Sequence, residues 1–521
     1  MSARGPVILL GMDAVEATLV ERLLEEGELP NLATLRARGV WGGLRTRPSA
    51  FLSLVWPTFL TGESLGRHGW YFNKMWNPDR QRLEYVDPGW LPYRPFYHDL
   101  DPDCRVALLD IPFLSEPDGK LNGIGLSGWQ AHDDFGRWSR PRSLWGEMRH
   151  RFGRPALSAE IFGPQTARTL LRQRREALES MEQFGRVVAH LVAREHWDLL
   201  VAVFGGAHRA MHYLWSLDEV DLSGADPATR RVLEDAPRTI YRSWDRALGR
   251  VMDAASADAR VLVFALHGMG PNNGWAEYFP AMVGHIAGRG EQDVPRRGIA
   301  YRLKRRIPWT VARQLTRRLP SGVNHALVPI WSRRMLDWSS TRYFALPVDL
   351  NGYLRINLRG REAEGIVSPG REHDIVIEEV TEAFRAFRDL WTGRPIVRSV
   401  EPVEEMVGSD APRRSVLPDL IVRWANVRAR GSAGIRSPFG ELRWGRGRRL
   451  PSGRSGNHTP HGWFVATGPG IEPAREDATH DAVDLLPTAY HWLGATAPDR
   501  FQGRPIASAV GEPARGARLG D

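Results

Sequence analysis

The segment LLVAVFGGAHRAMHYL at residues 199–214 decides the fold. Its first six residues form a continuous apolar run, which is typical of a strand buried on both faces of a parallel sheet. Gly205 and Gly206 then predict a tight turn into a helix. His208 and His212 are four residues apart, so both imidazoles lie on one face of that helix. In an α/β protein, polar side chains that follow such a strand-to-helix turn mark a favoured place for a site.

The same alternation of apolar strands and helical stretches recurs along the whole chain. The predicted strands cover residues 7–12, 104–111, 199–204, 261–265, 353–358, 420–424 and 463–467. The predicted helices cover residues 18–25, 32–37, 176–194, 238–255, 374–390 and 482–493. Such alternation predicts an α/β fold with a mostly parallel central sheet and helices on both faces.

The chain is long enough for a large core, with 521 residues of which 42% are hydrophobic. The alternating pattern weakens after residue 287 into basic, tryptophan-containing sequence and resumes with a strand-like run at 341–346. We therefore predict one α/β core in two parts, with an insertion between them and a tail. The predicted boundaries are residues 1–287 for the first part of the core, 288–340 for a basic insertion or cap, 341–510 for the second part and 511–521 for the tail.

The positive charge is concentrated in the predicted insertion. The formal net charge is +9, and a run from Arg296 to Arg334 is almost free of acidic residues and contains Trp309 and Trp331. Such a run is able to contact an anionic surface or an acidic substrate. The alternative is a solvated helical face on a surface insertion. The chain has no clear nucleic-acid-binding motif, so we expect an anionic small molecule or ester as its partner.

The sequence predicts a cytoplasmic protein. Its opening residues lack the pattern of a secretory signal, and no run approaches the roughly 20 apolar residues of a membrane-spanning helix. The single cysteine, Cys104, excludes an intramolecular disulfide and fits a reducing compartment.

Six polar residues stand where a predicted strand ends or a helix begins. The carboxyl ends of parallel strands meet at one edge of a sheet, so these side chains are expected to come together. Histidine and carboxylate are ligands of zinc and other transition metals. The alternatives are a helix cap for Asp13 and an exposed helical pair for His208 and His212. The six residues are Asp13, His208, His212, His267, His458 and His461.

An ordered series of short motifs resembles the alkaline phosphatase superfamily, in its type I phosphodiesterase/nucleotide pyrophosphatase-like branch. The series includes Gly11-Met12-Asp13, Trp56-Pro57-Thr58, His267-Gly268-Met269-Gly270, Pro418-Asp419-Leu420 and Asn457-His458. Each motif is weak alone, but their order extends over nearly the whole chain. The resemblance implies an alkaline-phosphatase-like fold.

The resemblance also implies a metal site. In that family two divalent cations, usually zinc, flank a Ser or Thr nucleophile that takes the phosphoryl group covalently. Carried onto this sequence, Asp13 and His267 fall on ligands of one metal. His212 and His458 fall on ligands of the other.

Three positions depart from the family pattern. His208 and Leu266 stand where the family has aspartates, and Leu52 stands at the nucleophile position, beside Ser53. His208, His212 and His458 still make a tetrahedral Zn²⁺ set with one open position. The other site keeps only Asp13 and His267. We therefore expect one firmly bound zinc ion and doubt a second divalent metal.

The sequence predicts a metal-dependent hydrolase or transferase that acts on phosphate mono- or diesters, or on sulfate esters. Attack would come from Ser53 or from a water activated by Asp13 and His267. The alternative is a catalytically degenerate relative that binds an anionic ligand, a membrane surface or a protein partner. Candidate substrate-binding residues are His132, Arg359, Arg361 and His461.

Overall fold

The computed structural model describes residues 5–53, 55–119, 121–130, 136–157, 163–288, 332, 336–346, 350–444 and 449–511. Its strands are β1 (Val7–Met12), β2 (Val40–Arg45), β3 (Lys74–Asn77), β4 (Arg82–Tyr85), β5 (Val106–Leu109), β6 (Gly123–Ser127), β7 (Trp138–Arg140), β8 (Gln165–Thr166), β9 (Leu199–Phe204), β10 (Val220–Asp221), β11 (Arg260–Ala265), β12 (Gly268–Pro271), β13 (Tyr343–Leu346), β14 (Gly352–Ile356), β15 (Arg388–Asp389), β16 (Val397–Pro402), β17 (Leu420–Trp424), β18 (Gly434–Ser437), β19 (Gly440–Arg443), β20 (Gly456–Thr459), β21 (Gly462–Thr467) and β22 (Ala474–Asp481).

Thirteen α-helices are present in the described part of the chain. They are α1 (Ala17–Glu25), α2 (Pro30–Ala37), α3 (Trp56–Thr61), α4 (Leu65–His68), α5 (Ser143–Phe152), α6 (Ala167–Arg194), α7 (Gly206–Leu214), α8 (Pro227–Glu234), α9 (Ala236–Ala254), α10 (Phe279–Ile286), α11 (Arg371–Arg385), α12 (Val403–Val407) and α13 (Leu485–Leu493). None of the helices in these ranges is both long enough and apolar enough to cross a membrane.

A nine-stranded sheet forms the centre of the fold, in the order β22-β2-β21-β11-β1-β9-β5-β6-β7. The strands from β11 to β6 run parallel to one another, whereas β21 and β7 run antiparallel to their neighbours. Every residue of β1 and of β9 is buried, as expected for strands covered on both faces. The predicted fold class, α/β with a mostly parallel central sheet and surrounding helices, is confirmed.

The described chain divides into two compact units. The first comprises residues 1–68, 92–272 and 449–521, and the second comprises residues 69–91 and 273–448. The nine-stranded sheet belongs to the first unit. The predicted strands at 353–358 and 420–424 belong to the second, where β14 and β17 are neighbours in a four-stranded antiparallel sheet.

The predicted insertion at 288–340 lies mostly outside the described residues, together with the run from Arg296 to Arg334 apart from Ser332. Its predicted boundaries, and those of the two core parts and the tail, stay a prediction. The division into two units differs from them in joining residues 69–91 to 273–448.

One predicted helix ends earlier than expected. The sequence predicts a helix to residue 390, but α11 ends at Arg385 and β15 follows. The side chain of Asp389 accepts hydrogen bonds from the backbone N–H groups of Trp391 and Thr392, and Gly393 has a φ of 68°. An aspartate that bonds the backbone ahead of it, followed by a left-handed glycine, makes a turn after β15, so the chain at residues 389–393 does not continue the helix.

Candidate metal centre

Three neighbouring parallel strands bring the predicted site residues to one edge of the sheet. Met12 pairs with Phe204, and the backbone N–H of Asp13 donates to the carbonyl oxygen of Phe204 at 3.1 Å. On the other side of β1, β11 ends at Ala265, two residues before His267. This register places Asp13, the start of α7 and His267 together.

The other histidines arrive from α7 and from a short strand. Helix α7 carries His208 and His212 one turn apart, as the spacing predicts, and both are buried. The sequence predicts no strand at His458, but the residue lies in β20, where it pairs with Met269 of β12. The strand was missed because its sequence, Gly-Asn-His-Thr, lacks the apolar pattern by which the other strands were predicted.

The imidazoles of His208, His212 and His458, here called the histidine cluster, converge through their Nε2 atoms. The Nε2 of His208 lies 3.1 Å from that of His212 and 2.9 Å from that of His458. One nitrogen from each ring falls within 4.8 Å of the other two, and all three residues are buried. The structure thus assembles the three nitrogen ligands that the sequence predicts for one zinc site.

The opposite ring nitrogens of two cluster members are held by acceptors. The Nδ1 of His208 lies 2.6 Å from Oδ2 of Asp13, and the Nδ1 of His212 lies 3.0 Å from the carbonyl oxygen of Gly456. An ionised carboxylate and a carbonyl only accept hydrogen bonds, so both Nδ1 atoms carry the proton. In a neutral ring the Nε2 atom then presents a lone pair.

Asp13 accepts hydrogen bonds at both of its oxygens. Its Oδ1 accepts from the indole Nε1 of Trp56 at 2.9 Å, in addition to the bond from His208 to Oδ2. Burial opposes ionisation of Asp13, but the charge and hydrogen bond of His208 outweigh it and hold the pKa of this carboxyl below its usual range. Asp13 is therefore a buried carboxylate that orients His208.

If all three rings of the histidine cluster are neutral, one of the two Nε2–Nε2 contacts lacks a hydrogen-bond donor. The pKa of His458 is well below its usual value because burial, and then the neighbouring histidines, disfavour its charged form. A neutral His458 can donate from Nε2 to His208 and so account for the 2.9 Å contact. At the 3.1 Å contact the lone pairs of His208 and His212 face each other. A metal cation between the rings removes that repulsion, as does protonation of one ring, whose Nε2 then donates to the other.

His267 lies beside the histidine cluster without converging on it. Its ring stacks on that of His458, with centroids 4.6 Å apart and an interplanar angle of 18°. Its Nε2 is 3.9 Å from Oδ1 of Asp13, beyond hydrogen-bond distance. Burial lowers the pKa of His267 to about 4. The predicted ligand pair of Asp13 and His267 is adjacent in space, but the Asp13 oxygens already have other partners, so a metal there stays a prediction.

Residues 7–98 match the sequence profile described as type I phosphodiesterase / nucleotide pyrophosphatase. This segment belongs to that family. For this segment the match confirms the family predicted from the sequence. The segment contains three residues discussed for the site: Asp13, Ser53 and Trp56. No curated protein matches the chain.

Two solved structures illustrate how distant the similar folds are. Murine ectonucleotide pyrophosphatase / phosphodiesterase 5, in complex with AMP, is 11% identical over 95% of this chain and 96% of its own, with a TM-score of 0.46. Phosphonoacetate hydrolase from Sinorhizobium meliloti 1021, in complex with phosphonoformate, is 13% identical over 94% and 96%, with a TM-score of 0.49.

Two of the three departures from the phosphodiesterase family pattern are buried leucines. Leu52 and Leu266 are each 1% exposed, and the carbonyl oxygen of Leu266 accepts a hydrogen bond from the hydroxyl of Thr46. Neither side chain offers a ligand atom or a nucleophile. Ser53 is partly buried and lies three residues before α3, the helix that begins with Trp56. Its role as nucleophile stays a prediction.

The roles of the four candidate substrate-binding residues stay a prediction. The guanidinium of Arg361 donates to Asp419 and Glu362 within the second unit. Arg359 and His461 are exposed. His132 lies outside the described residues.

Trp56 is the site residue that sequence reasoning missed. A β-carbon at Gly11 would lie 2.7 Å from the indole ring of Trp56, so the glycine leaves the space in which the ring reaches Asp13. The only local signal was the glycine two residues before the aspartate.

Proposed function

We propose that this chain is a metal-dependent hydrolase of phosphate esters, built on one divalent cation held by the histidine cluster. The observation that carries the proposal is the convergence of the three Nε2 atoms, with the lone pairs of His208 and His212 facing each other at 3.1 Å. A bound cation turns that repulsion into coordination.

The spacing of the nitrogens fits zinc. Zinc–nitrogen bonds of about 2.05 Å at tetrahedral angles would hold ligand nitrogens about 3.3 Å apart. The Nε2 of His208 lies 3.1 Å from that of His212 and 2.9 Å from that of His458, a few tenths of an ångström below that value. Three neutral imidazoles suit zinc, whereas Mg²⁺ and Ca²⁺ prefer oxygen ligands. A three-histidine set also leaves a fourth position for substrate or water.

The chain's own residues prepare the histidines for this role. Asp13 and the carbonyl oxygen of Gly456 hold the protons of His208 and His212 on Nδ1, which turns the Nε2 lone pairs inward. The negative charge of Asp13 also raises the basicity of His208 as a ligand. Zinc, when bound, would supply a Lewis acid that polarises the ester oxygen and stabilises charge on the transferring group.

Phosphate esters are the substrate class that the family match of residues 7–98 supports. Hydrolysis breaks the ester P–O bond, and the alcohol leaves with a proton. Water either attacks the phosphorus directly or hydrolyses the phosphoserine that attack by Ser53 would form. Sulfate esters present the same tetrahedral anionic group and remain inside the proposal. The nucleophile is tested with Ser53→Ala against the matched control Ser49→Ala, which changes another serine of the same loop.

The test is turnover of p-nitrophenyl phosphate, bis(p-nitrophenyl) phosphate and p-nitrophenyl sulfate by the zinc-supplied full chain. We expect His212→Ala and His458→Ala to lose at least the 10- to 100-fold that removal of an outer ligand partner typically causes. His196→Ala is the matched control, because this side chain is 65% exposed.

Turnover in His212→Ala at the wild-type rate would refute a catalytic role for the cluster. A wild-type chain that binds zinc and p-nitrophenyl phosphate but turns over none of the three esters would support the alternative of a degenerate, ligand-binding relative.

A further inference from the structure

The ladder that carries two of the site histidines is short and rich in glycine. Strand β20 holds His458, and β12 begins directly after His267. The two strands pair over four residues, among which are Gly268, Gly270 and Gly456. Such a ladder has few side chains to fix its register, so its geometry needs support from outside.

A buried carboxylate lies at the end of this ladder nearest the histidines. Oε2 of Glu16 accepts a hydrogen bond from the hydroxyl of Thr459 at 2.6 Å. A β-carbon at Gly268 would lie 1.9 Å from the same oxygen. Gly268 and Thr459 are cross-strand partners, and each directly follows a site histidine. Glu16 therefore contacts both strands at one rung, next to His267 and His458.

Glu16 is itself fixed to the core. It is 4% exposed, and its backbone N–H donates to the hydroxyl of Tyr241 on α9 at 2.8 Å. Its Oε1 accepts from the hydroxyl of Thr18 at 3.2 Å. Because Asp13 lies three residues earlier, one loop after β1 holds His208 through Asp13 and the ladder through Glu16.

We propose that Glu16 is a positioning residue of the metal centre, which fixes the β12–β20 ladder through Thr459 and the space left by Gly268. This inference rests on the proposed function. It assigns to Glu16 no contact with metal or substrate. Its effect reaches the centre through the backbone that carries His458 and His267.

The test is cobalt(II) titration of the full chain, because Co²⁺ takes zinc sites and its visible spectrum reports ligand geometry. Thr459→Val removes the hydroxyl that Glu16 accepts and keeps the side-chain shape. Thr459→Ser restores the hydroxyl. Glu16→Gln keeps the volume of the side chain and replaces one acceptor oxygen with a donor. Thermal unfolding of each metal-free protein separates loss of stability from loss of affinity.

The matched control is Thr467→Val. Thr467 is a buried threonine, 8% exposed, whereas Thr459 is partly buried, and the hydroxyl of Thr467 donates to the carbonyl oxygen of Arg38. It pairs with Val261 at the opposite end of β11 from His267. This variant measures the cost of a buried Thr→Val change away from the site.

We expect Thr459→Val to weaken Co²⁺ binding by about 10- to 100-fold and to shift its visible bands, with a smaller loss in Glu16→Gln. Thr459→Ser and Thr467→Val should bind as the wild type does. Wild-type affinity and spectrum in both Thr459→Val and Glu16→Gln would overturn the positioning role while leaving the proposed function intact. A wild-type chain that binds neither Co²⁺ nor Zn²⁺ would overturn the proposed function and the positioning role with it. If Thr459→Val does not fold, the Co²⁺ affinity and spectrum of Glu16→Gln alone test the positioning role.

Discussion

Replacement of Asp13 by asparagine tests how the carboxylate serves the centre. In the structure Asp13 accepts from His208 at 2.6 Å and from Trp56 at 2.9 Å, one donor at each oxygen. Asparagine keeps the shape of the side chain but has a single acceptor oxygen. One of the two N–H donors must then face an amide NH₂ group.

The size of the effect follows from the lost bond. A hydrogen bond to a charged group contributes about 1.5–3 kcal/mol net. If that loss acts on metal binding through the orientation of His208, it corresponds to about 10- to 150-fold in affinity, at 1.4 kcal/mol per factor of ten. Loss of an outer carboxylate partner typically weakens metal binding by about 10- to 100-fold. The two ranges agree.

The assay is zinc affinity by competition with a chromogenic chelator, together with the zinc content at saturation. We expect Asp13→Asn to bind about one zinc per chain with weakened affinity. The matched control is Asp245→Asn, since Asp245 is also buried but accepts from the backbone N–H groups of Asn31 and Leu32 at the start of α2. That variant should lose stability and keep the wild-type zinc affinity.

Two outcomes would refute this reasoning. Wild-type affinity in Asp13→Asn would show that the carboxylate does not orient His208. Two zinc ions in the wild type and one in Asp13→Asn would show that Asp13 is a direct ligand of a second metal.

Three further predictions concern stability. Burial lowers the pKa of His68 from 6.5 to about 3, so between those values the unfolded chain binds a proton that the folded chain does not. The free energy of unfolding should therefore fall as the pH drops through that window, by at most about 1.4 kcal/mol per pH unit from this residue. In His68→Gln the free energy of unfolding, measured by urea denaturation, should depend less steeply on pH. An unchanged pH dependence would contradict the lowered pKa of His68. Glu362→Gln removes the negative charge that faces fully buried Arg355, and the free energy of unfolding in urea denaturation should fall by about 3 kcal/mol. A loss below about 1 kcal/mol would contradict the role of this ion pair. Gly185→Ala places a β-carbon 2.7 Å from that of Ala247, where α6 meets α9, and should cost about 1–3 kcal/mol. Its control, Gly146→Ala in α5, meets open space and should stabilise by up to about 1 kcal/mol by thermal denaturation.

The central strands could be predicted from the sequence because the physics that forms them is local. Strands β1 and β9 have the predicted bounds, since each is a run of six apolar residues closed by a glycine turn or a polar residue. The first turns of α6 were missed because their arginines obscure the apolar stripe. The structure begins that helix at Ala167 with a cap by Thr166, nine residues before the predicted start.

Strand pairing was less predictable than strand location. The apolar pattern of β14 and β17 identifies both as strands, but nothing in that pattern tells a parallel neighbour from an antiparallel one. The structure pairs them with each other in the second unit. Pairing depends on which distant segments meet, and that is a property of the whole chain.

The site shows the same limit. The parallel strands account for the position of His208 and His212 after β9. His458 reaches the same edge for another reason, because β21, the strand that follows it, runs antiparallel to β11. The contacts by Trp56 and Glu16 have no local signature other than a glycine close to a site residue. They arise where glycines at positions 11 and 268 leave room for a distant side chain.

The most direct test of the central claim is the metal content of the chain, measured by elemental mass spectrometry on protein purified without added metal. We predict about one zinc ion per chain in the wild type and in His196→Ala, and loss of that zinc in His212→Ala. A chain that holds no transition metal even after zinc is supplied, or equal zinc in His212→Ala and wild type, would contradict this claim.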